Sequence, residues 1–397
     1  MGPAELAQAR RSWQRGPERR AQLAEAAAQQ FYRLGFYRVS MADVAAAVGV
    51  TAPAIYRYFR SKQELLVAAI SGGLDMVSEA LDHTTGASLP DFMNAMAGTA
   101  IARRDLWILL QREMRQLSPA QRQPLEEQFE EIVRPFLAVV RRERPDLPVA
   151  DRGLVTTAIL ATLASPSVYR ARMPKRDQQR ILAAAAQAAC HARWDPAGRP
   201  APGCVDRAGS SSPAQAADRG AEVLDTAIRL FAARGYQAVS LDDIGADLGM
   251  AGPSLYHYYA TKSDILVAAF ARATEWLAAQ RRLAGQAPSL DDLVAAYIDL
   301  AVRERMVLAV YVWEAVNLPP EAGRRIRSGL ESDVQAWCAA LGEVRPALTA
   351  GQRLVLVHAA RAVVHDVVRI GHWHDRPDVA GVLRALVTAV LTAPLER

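Results

Sequence analysis

The chain has 397 residues, 51% apolar and 22% charged, with a net charge of +5. That is ordinary globular composition with room for two to four domains, and it excludes a disordered or fibrous chain. No apolar run approaches the roughly 20 residues of a membrane helix, and the first residues hold no apolar secretory stretch. Three cysteines, Cys190, Cys204 and Cys338, make neither a disulfide framework nor a metal-ligand spacing. A cytoplasmic setting without a membrane partner is therefore expected.

In chain order, residues 1–18 form a basic, polar N-terminal arm with Arg10, Arg11 and Arg15. Leu23, Ala24, Ala27, Phe31 and Leu34 then share one helical face, and Gly35 ends that helix as a left-handed cap. Ser40, with Asp43 three residues on, is an N-cap signal in which Asp replaces the usual Glu. A short second helix ends at Gly49, and a third opens at Thr51 with Pro53 in its first turn. A fourth starts near Ser61 and runs through Leu65, Leu66 and Ala69. Later helices are expected near 88–116, 119–144, 151–170 and 175–193. Residues 195–218, rich in Pro, Gly, Ser and Ala, are a linker whose 24 residues would average roughly 27 Å as a flexible coil.

The same signals return 200 residues later. Phe31–Ile70 and Phe231–Phe270 align without a gap, with 15 of 40 positions identical. A fainter echo relates Arg104–Glu113 to Arg305–Glu314, and Leu154-Val155 to Leu354-Val355 at the same offset. The whole half is therefore duplicated, and the matching last helices are expected at 349–372 and 376–392. Residues 15–74 carry eight Arg/Lys against four Asp/Glu, or +4; residues 215–274 carry five against seven, or −2. The first copy is charged for DNA and the second is not.

Each repeat has the pattern of a DNA-reading helix-turn-helix. Thr51, Pro53 and Ala54 open the third helix with short side chains that allow close approach to base edges. Ser40 stands at the cap before it. Tyr56 and Tyr58 can bond phosphate, Arg57 can take phosphate or a guanine edge, and Ile55 and Phe59 form the inward stripe. The chain has only three lysines; Lys62 and Lys262 occupy matched positions, which suggests a compact charge on phosphate, with a solvated helix start as the alternative. The corresponding set in the second copy is Ser240, Ser254, Tyr256, His257, Tyr258 and Lys262. There Met250-Ala251-Gly252 replaces Val50-Thr51-Ala52, His257 replaces Arg57 and Ala260 replaces Arg60. Weaker or differently specific contact follows.

The segments Val44–Leu66 and Ile244–Leu266 closely resemble the reading head of TetR-family transcriptional regulators. The likeness rests on the Gly turn, the aromatic-x-aromatic-aromatic run and the Lys that follows. It implies an all-α fold of two tandem TetR-like units, each a three-helix helix-turn-helix domain plus a helical ligand-binding and dimerisation domain. The heads would span 19–66 and 219–266, and the helical domains 67–194 and 267–397. The two halves would pair within one chain as a pseudo-dimer, with room for further homodimerisation. The implied partners are double-stranded operator DNA and a small apolar effector. By the same resemblance, pocket candidates are Phe92, Met96, Trp107, Leu110 and Met114, then Tyr297, Tyr311, Trp313 and His358, with plain core packing as the alternative.

No nucleophile–base pair or cofactor motif appears, so neither catalysis nor a cofactor is expected. His358, His365, His372 and His374 are spaced by seven, seven and two, which does not place three metal ligands on one helix face. The implied function is a ligand-responsive repressor that reads an imperfect palindrome. Two alternatives stay open: a homodimer of tandem chains with the second half as scaffold, and a ligand-binding or interaction module that has lost DNA binding.

Overall fold

Helix α1 (Pro3–Leu34) is the longest element of a computed structural model that describes residues 3–194, 215–250, 252–285 and 287–395. It overturns the expected arm, since residues 3–18 continue the helix, as a run rich in Ala, Glu, Gln and Arg favours. The expected linker falls mostly on 195–214, outside the described residues, while 215–218 belong to a later helix. The described residues form helices and no strands.

Among them the chain divides into two compact units, Met1–Pro145 with Pro166–Val168, and Asp146–Ser165 with Tyr169–Arg397. The first unit continues from α1 through α2 (Met41–Ala47), α3 (Ala52–Ile55) and α4 (Lys62–Asp82). After these come α5 (Leu89–Ala102), α6 (Arg104–Ile108) and α7 (Pro119–Glu143). Its core gathers Leu23, Phe31, Ile55, Phe59, Leu65 and Ile70, all fully buried, where α1 packs on α4. The single helix expected near 88–116 is broken at Arg103, which leaves helical geometry at φ −111° and ψ 50°. Past α6 the chain widens into one π-helical turn, Leu109–Glu113.

The second unit begins with α8 (Val149–Ala164) and α9 (Lys175–Cys190), the last helices of the first half. It continues with α10 (Gln215–Arg234), α11 (Leu241–Asp247), α12 (Gly252–Leu255) and α13 (Lys262–Leu283). Next are α14 (Leu290–Arg303), α15 (Arg305–Glu314) and α16 (Pro320–Val344), then α17 (Ala350–Arg369) and α18 (Val379–Leu391). Within this unit α8 lies along α17, and α9 packs against both α17 and α18. Ala158, Ala161, Ala185, Ala186, Ala359 and Ala360 are fully buried there, and such small side chains let helix backbones approach closely.

The helix caps correct the offset between the halves beyond the heads. Ser118 and Pro319 precede α7 and α16, Arg144 and Arg345 follow them, and Pro148 and Thr349 precede α8 and α17. Each pair is 201 apart, so Leu154 matches Val355 rather than Leu354. One inserted residue is easily missed where Leu and Val alternate, as in Leu354-Val355-Leu356-Val357.

Candidate nucleic-acid interface

In each head the turn before α2 or α11 is closed by a capping box. Ser40 Oγ accepts from Asp43 N at 3.1 Å and donates to its carboxylate at 2.7 Å, and Ser240 and Asp243 repeat this at 3.0 and 2.6 Å. Hydrogen bonds from the serine hold both aspartate carboxyls below the usual carboxylate range. Gly49 and Gly249 carry the turn into the next helix at φ 71° and 63°, where a side chain would be strained. Gly35 is a different case from the cap expected of it. At φ 82° and ψ 154° it is extended on the side of the map open to glycine alone.

The recognition helices are short, one turn of α-helix followed by a hydrogen-bonded turn. Ile55 and Phe59 point into the core with no exposure, and this leaves the intervening face outward. Tyr56 is 57% exposed and Tyr256 55%, and Arg57, Arg60, His257 and Ser254 are exposed as well. Thr51 and Pro53 are exposed, while Ala54, Tyr58 and Tyr258 are half-buried. Thr51 makes no side-chain cap bond. Ala251 lies outside the described residues. The first head thus presents Tyr-Arg flanked by Arg60; the second presents Tyr-His flanked by Ala260.

The matched lysines do something else. Lys62 Nζ donates to the carbonyls of Phe36 and Val39 at 2.9 and 3.0 Å and lies 4.2 Å from the Phe36 ring centre. Lys262 repeats this on Tyr236 and Val239 at 2.6 and 2.8 Å, 4.4 Å from the Tyr236 ring. Burial pushes both ammonium groups below their ordinary value, with Glu113 and Glu314 opposing the shift. Beside the phosphate contact expected of it, each lysine clips the α1–α2 or α10–α11 turn to the next helix. Rarity of lysine marked a requirement, and the requirement is a long tetrahedral donor that satisfies two turn carbonyls. Lys62→Met is expected to cost about 2 kcal/mol through those lost charged bonds. The salt dependence of any remaining DNA affinity should keep its slope; a slope lower by about 0.9 would restore the phosphate role.

Sequence reasoning missed the residues behind the head. Arg20 donates to the Tyr58 carbonyl, pairs with Glu64 at 3.2 Å, and covers the Phe59 ring at 4.2 Å. Arg112, buried on the π-turn, donates to the carbonyls of Phe31 and Tyr32 at 2.6 and 3.0 Å and pairs with Glu113 at 2.6 Å. Glu113 in turn accepts the Phe36 amide at 3.3 Å. The end of α1 and the turn after it are thereby bonded to the segment following α6. In the second half Glu314 accepts the Tyr236 amide at 3.3 Å, but Trp313 stands where Arg112 would be. The only advance signal was an Arg-Glu pair inside the apolar run LWILLQREM.

The expected pocket residues separate. Phe92 and Met96 are buried, with Phe92 edge-on to Phe136, and Met114 is buried beyond the π-turn. Trp107 and Leu110 are half-buried, Trp107 beside Phe129. In the second half Tyr311 meets Phe270 edge-on, and Trp313 is half-buried. Tyr297 belongs to a polar core: its hydroxyl meets His365 Nε2 at 2.5 Å, and the Arg361 guanidinium lies 4.0 Å over its ring. Asp333, almost wholly buried, pairs with Arg361 and accepts from Arg281 at 2.5 Å. Leu277, Gln280, Arg281, Asp292, Leu293 and Asp333 line a cavity at its edge, and none of the expected residues is among them. His358 stands apart, stacked on Tyr169 at 4.4 Å between α17 and the segment after α8. Among the described residues no three His, Cys, Asp or Glu converge as metal ligands, and no helix is long and apolar enough to cross a membrane.

The family profile described as "Bacterial regulatory proteins, tetR family" matches residues 23–69 and again 223–269. Each half of the chain thus carries a tetR-family head. Both matches cover a tetR head from α1 or α10 into the following long helix. The chain is 43% identical over 79 residues to the HTH-type transcriptional regulator TtgR of Pseudomonas putida, 20% of this chain and 36% of that protein. The same figures hold for the probable HTH-type transcriptional regulator ArpR of Pseudomonas putida. The match thus spans about a third of the length of these relatives. Similar solved structures include the TetR family transcriptional regulator PfmR from Thermus thermophilus, at 22% identity and TM-score 0.37, covering 44% of this chain and 99% of that one. KstR2 of Mycobacterium tuberculosis, a ketosteroid transcriptional regulator, gives 22% and 0.37 over 45% and 96%.

Proposed function

We propose that this tandem tetR-family chain is a ligand-responsive transcriptional repressor whose single chain supplies both reading heads. The observation that carries the reading is the outward face of two recognition helices, with Tyr56 and Arg57 exposed on one and Tyr256 and His257 on the other. The relatives that share a 79-residue match with this chain are named as transcriptional regulators, in keeping with it. The packing of α8 and α9 with α17 and α18 supports pairing of the halves within the chain, in place of two separate subunits. The heads comprise 19–66 and 219–266, the effector domains 67–194 and 267–397. The first effector site lies around Phe92, Met96, Trp107, Leu110 and Met114, an apolar set suited to an apolar ligand. An effector there is coupled to the first head through the π-turn that bears Arg112 and Glu113.

Because the heads differ, the operator consists of two unlike half-sites about one helical turn apart. Selection from random DNA followed by footprinting tests this. One chain protecting two adjacent, unlike half-sites is the expected result; two identical half-sites would sink the split specificity. Arg57→Ala should lower affinity and flatten the salt slope by about one phosphate contact, while His257→Ala should do less. A second reading has its own support: the net charge of −2 over 215–274 and the loss of Arg57 and Arg60 favour a second head that serves as scaffold. Two chains protecting a symmetric site of identical half-sites would select it.

A further inference from the structure

The contacts between the last helices of the two halves are unlike in kind. Trp373, between α17 and α18, lies over Gly153 of α8 so closely that a Cβ there would sit 3.3 Å from the ring. Tyr169, after α8, stacks on His358 of α17 at 4.4 Å and an interplanar angle of 9°. Arg376, ahead of α18, pairs with Asp151 of α8 and with Asp378 at 2.8 Å.

The 201-residue offset says what each residue would meet if two copies of the second half paired with each other. It governs the start of α8 and α17 and returns within α9 and α18, where Ile181, Leu182 and Ala186 match Val382, Leu383 and Val387, all buried, although α17 runs four residues longer than α8. The counterpart of Gly153 is Leu354, so Trp373 would press on a leucine where it now covers a bare backbone. The counterpart of Asp151 is Gln352, so Arg376 would exchange an ion pair for an amide. Both changes oppose self-pairing of the second half.

We propose that the bundle surface of the second half is shaped to accept the first half of this chain and to reject another copy of itself. Rejection on one side is enough. Every chain holds one of each half, so each pair of first halves would strand two second halves with an apolar face uncovered. The inference rests on the proposed pairing of the halves, but it concerns which surfaces match rather than whether the match lies within one chain.

The test uses the full chain with a site-specific protease sequence placed within 195–214, folded first and cut afterwards. Light and isotope-heavy preparations are mixed after cutting and weighed by native mass spectrometry. Only pairs of one first and one second half are expected; second-half pairs near the statistical quarter of all pairs would overturn the proposal. Gly153→Leu should weaken the mixed pair at least tenfold, and adding Trp373→Ala should recover most of that loss. No loss, or loss without recovery, would also overturn it. The mass of the uncut chain separates the two ideas. One chain's 43.2 kDa supports pairing within the chain. Twice that mass would leave the surface preference standing so long as mixed pairs are still found after cutting.

Discussion

Arg112→Leu is expected to destabilise the first unit by about 3–5 kcal/mol, because it removes a buried guanidinium from Glu113 and from two main-chain carbonyls at once. Both side chains are almost fully buried, so water cannot take over those bonds. At this size the unfolding midpoint should fall on the order of 10 °C. Glu113→Gln should cost less, since an amide oxygen can still accept from the Phe36 amide. The functional consequence is sharper than the thermal one. With the α1 end and its turn released from the segment after α6, effector binding should no longer change DNA affinity, even under conditions where the variant is folded. Calorimetry together with DNA titrations at two effector concentrations checks both parts. A midpoint within 2 °C of the parent, with coupling intact, would remove Arg112 from this role. The matching segment of the second half, with Trp313 in place of Arg112, should tolerate Trp313→Leu with less effect on its head.

Acid should loosen the second unit well before carboxylates titrate. Burial, reinforced by Arg361, lowers the pKa of His358 and of His365 to about 3, and Arg369 adds to the effect on His365. In the unfolded chain both would titrate near 6.5. The unfolded state therefore binds more protons between pH 6.5 and 3, and stability falls as pH drops through that window. Each histidine contributes up to about 1.4 kcal/mol per pH unit, so the two together should remove on the order of 5 kcal/mol between pH 6.5 and 4.5. Asp243 and Asp378, whose carboxyls are held below their ordinary range, add their own loss only at lower pH. Denaturant midpoints across pH 7 to 4.5 measure the slope. His358→Phe, which keeps an aromatic ring against Tyr169, should remove about half of it. A stability that stays flat from pH 7 to 5 would show that neither ring is buried neutral.

The heads were legible because their determinants are local. A Ser and an Asp three apart make a capping box, a glycine carries the turn, and apolar residues at helical spacing face inward whatever lies farther along the chain. Duplication doubled that signal, and unlike residues at Arg57 and His257 already separated the two heads. Local pattern was less informative about what a polar side chain bonds. Lys62 and Lys262 were noticed for their rarity, yet their partners, the carbonyls of Phe36, Val39, Tyr236 and Val239, are set by how the turn folds back on the next helix.

Helical propensity, itself local, carried α1 back to Pro3, a stretch whose polar pattern had suggested an arm. Tertiary structure alone decided the rest. Asp333 meets Arg281 and Arg361 from 52 and 28 residues away, and Tyr297 meets His365 across 68. His358 was expected in a pocket and lies instead against Tyr169. By itself, then, the sequence determined an all-helical tandem chain with two related but unequal reading heads, because helix periodicity, caps and turns are properties of neighbours. Which buried charges meet, where the lysines point and how α8 and α9 pack with α17 and α18 depended on contacts remote in sequence. Such contacts are selected by shape and charge complementarity in the folded core, and no short-range pattern encodes them.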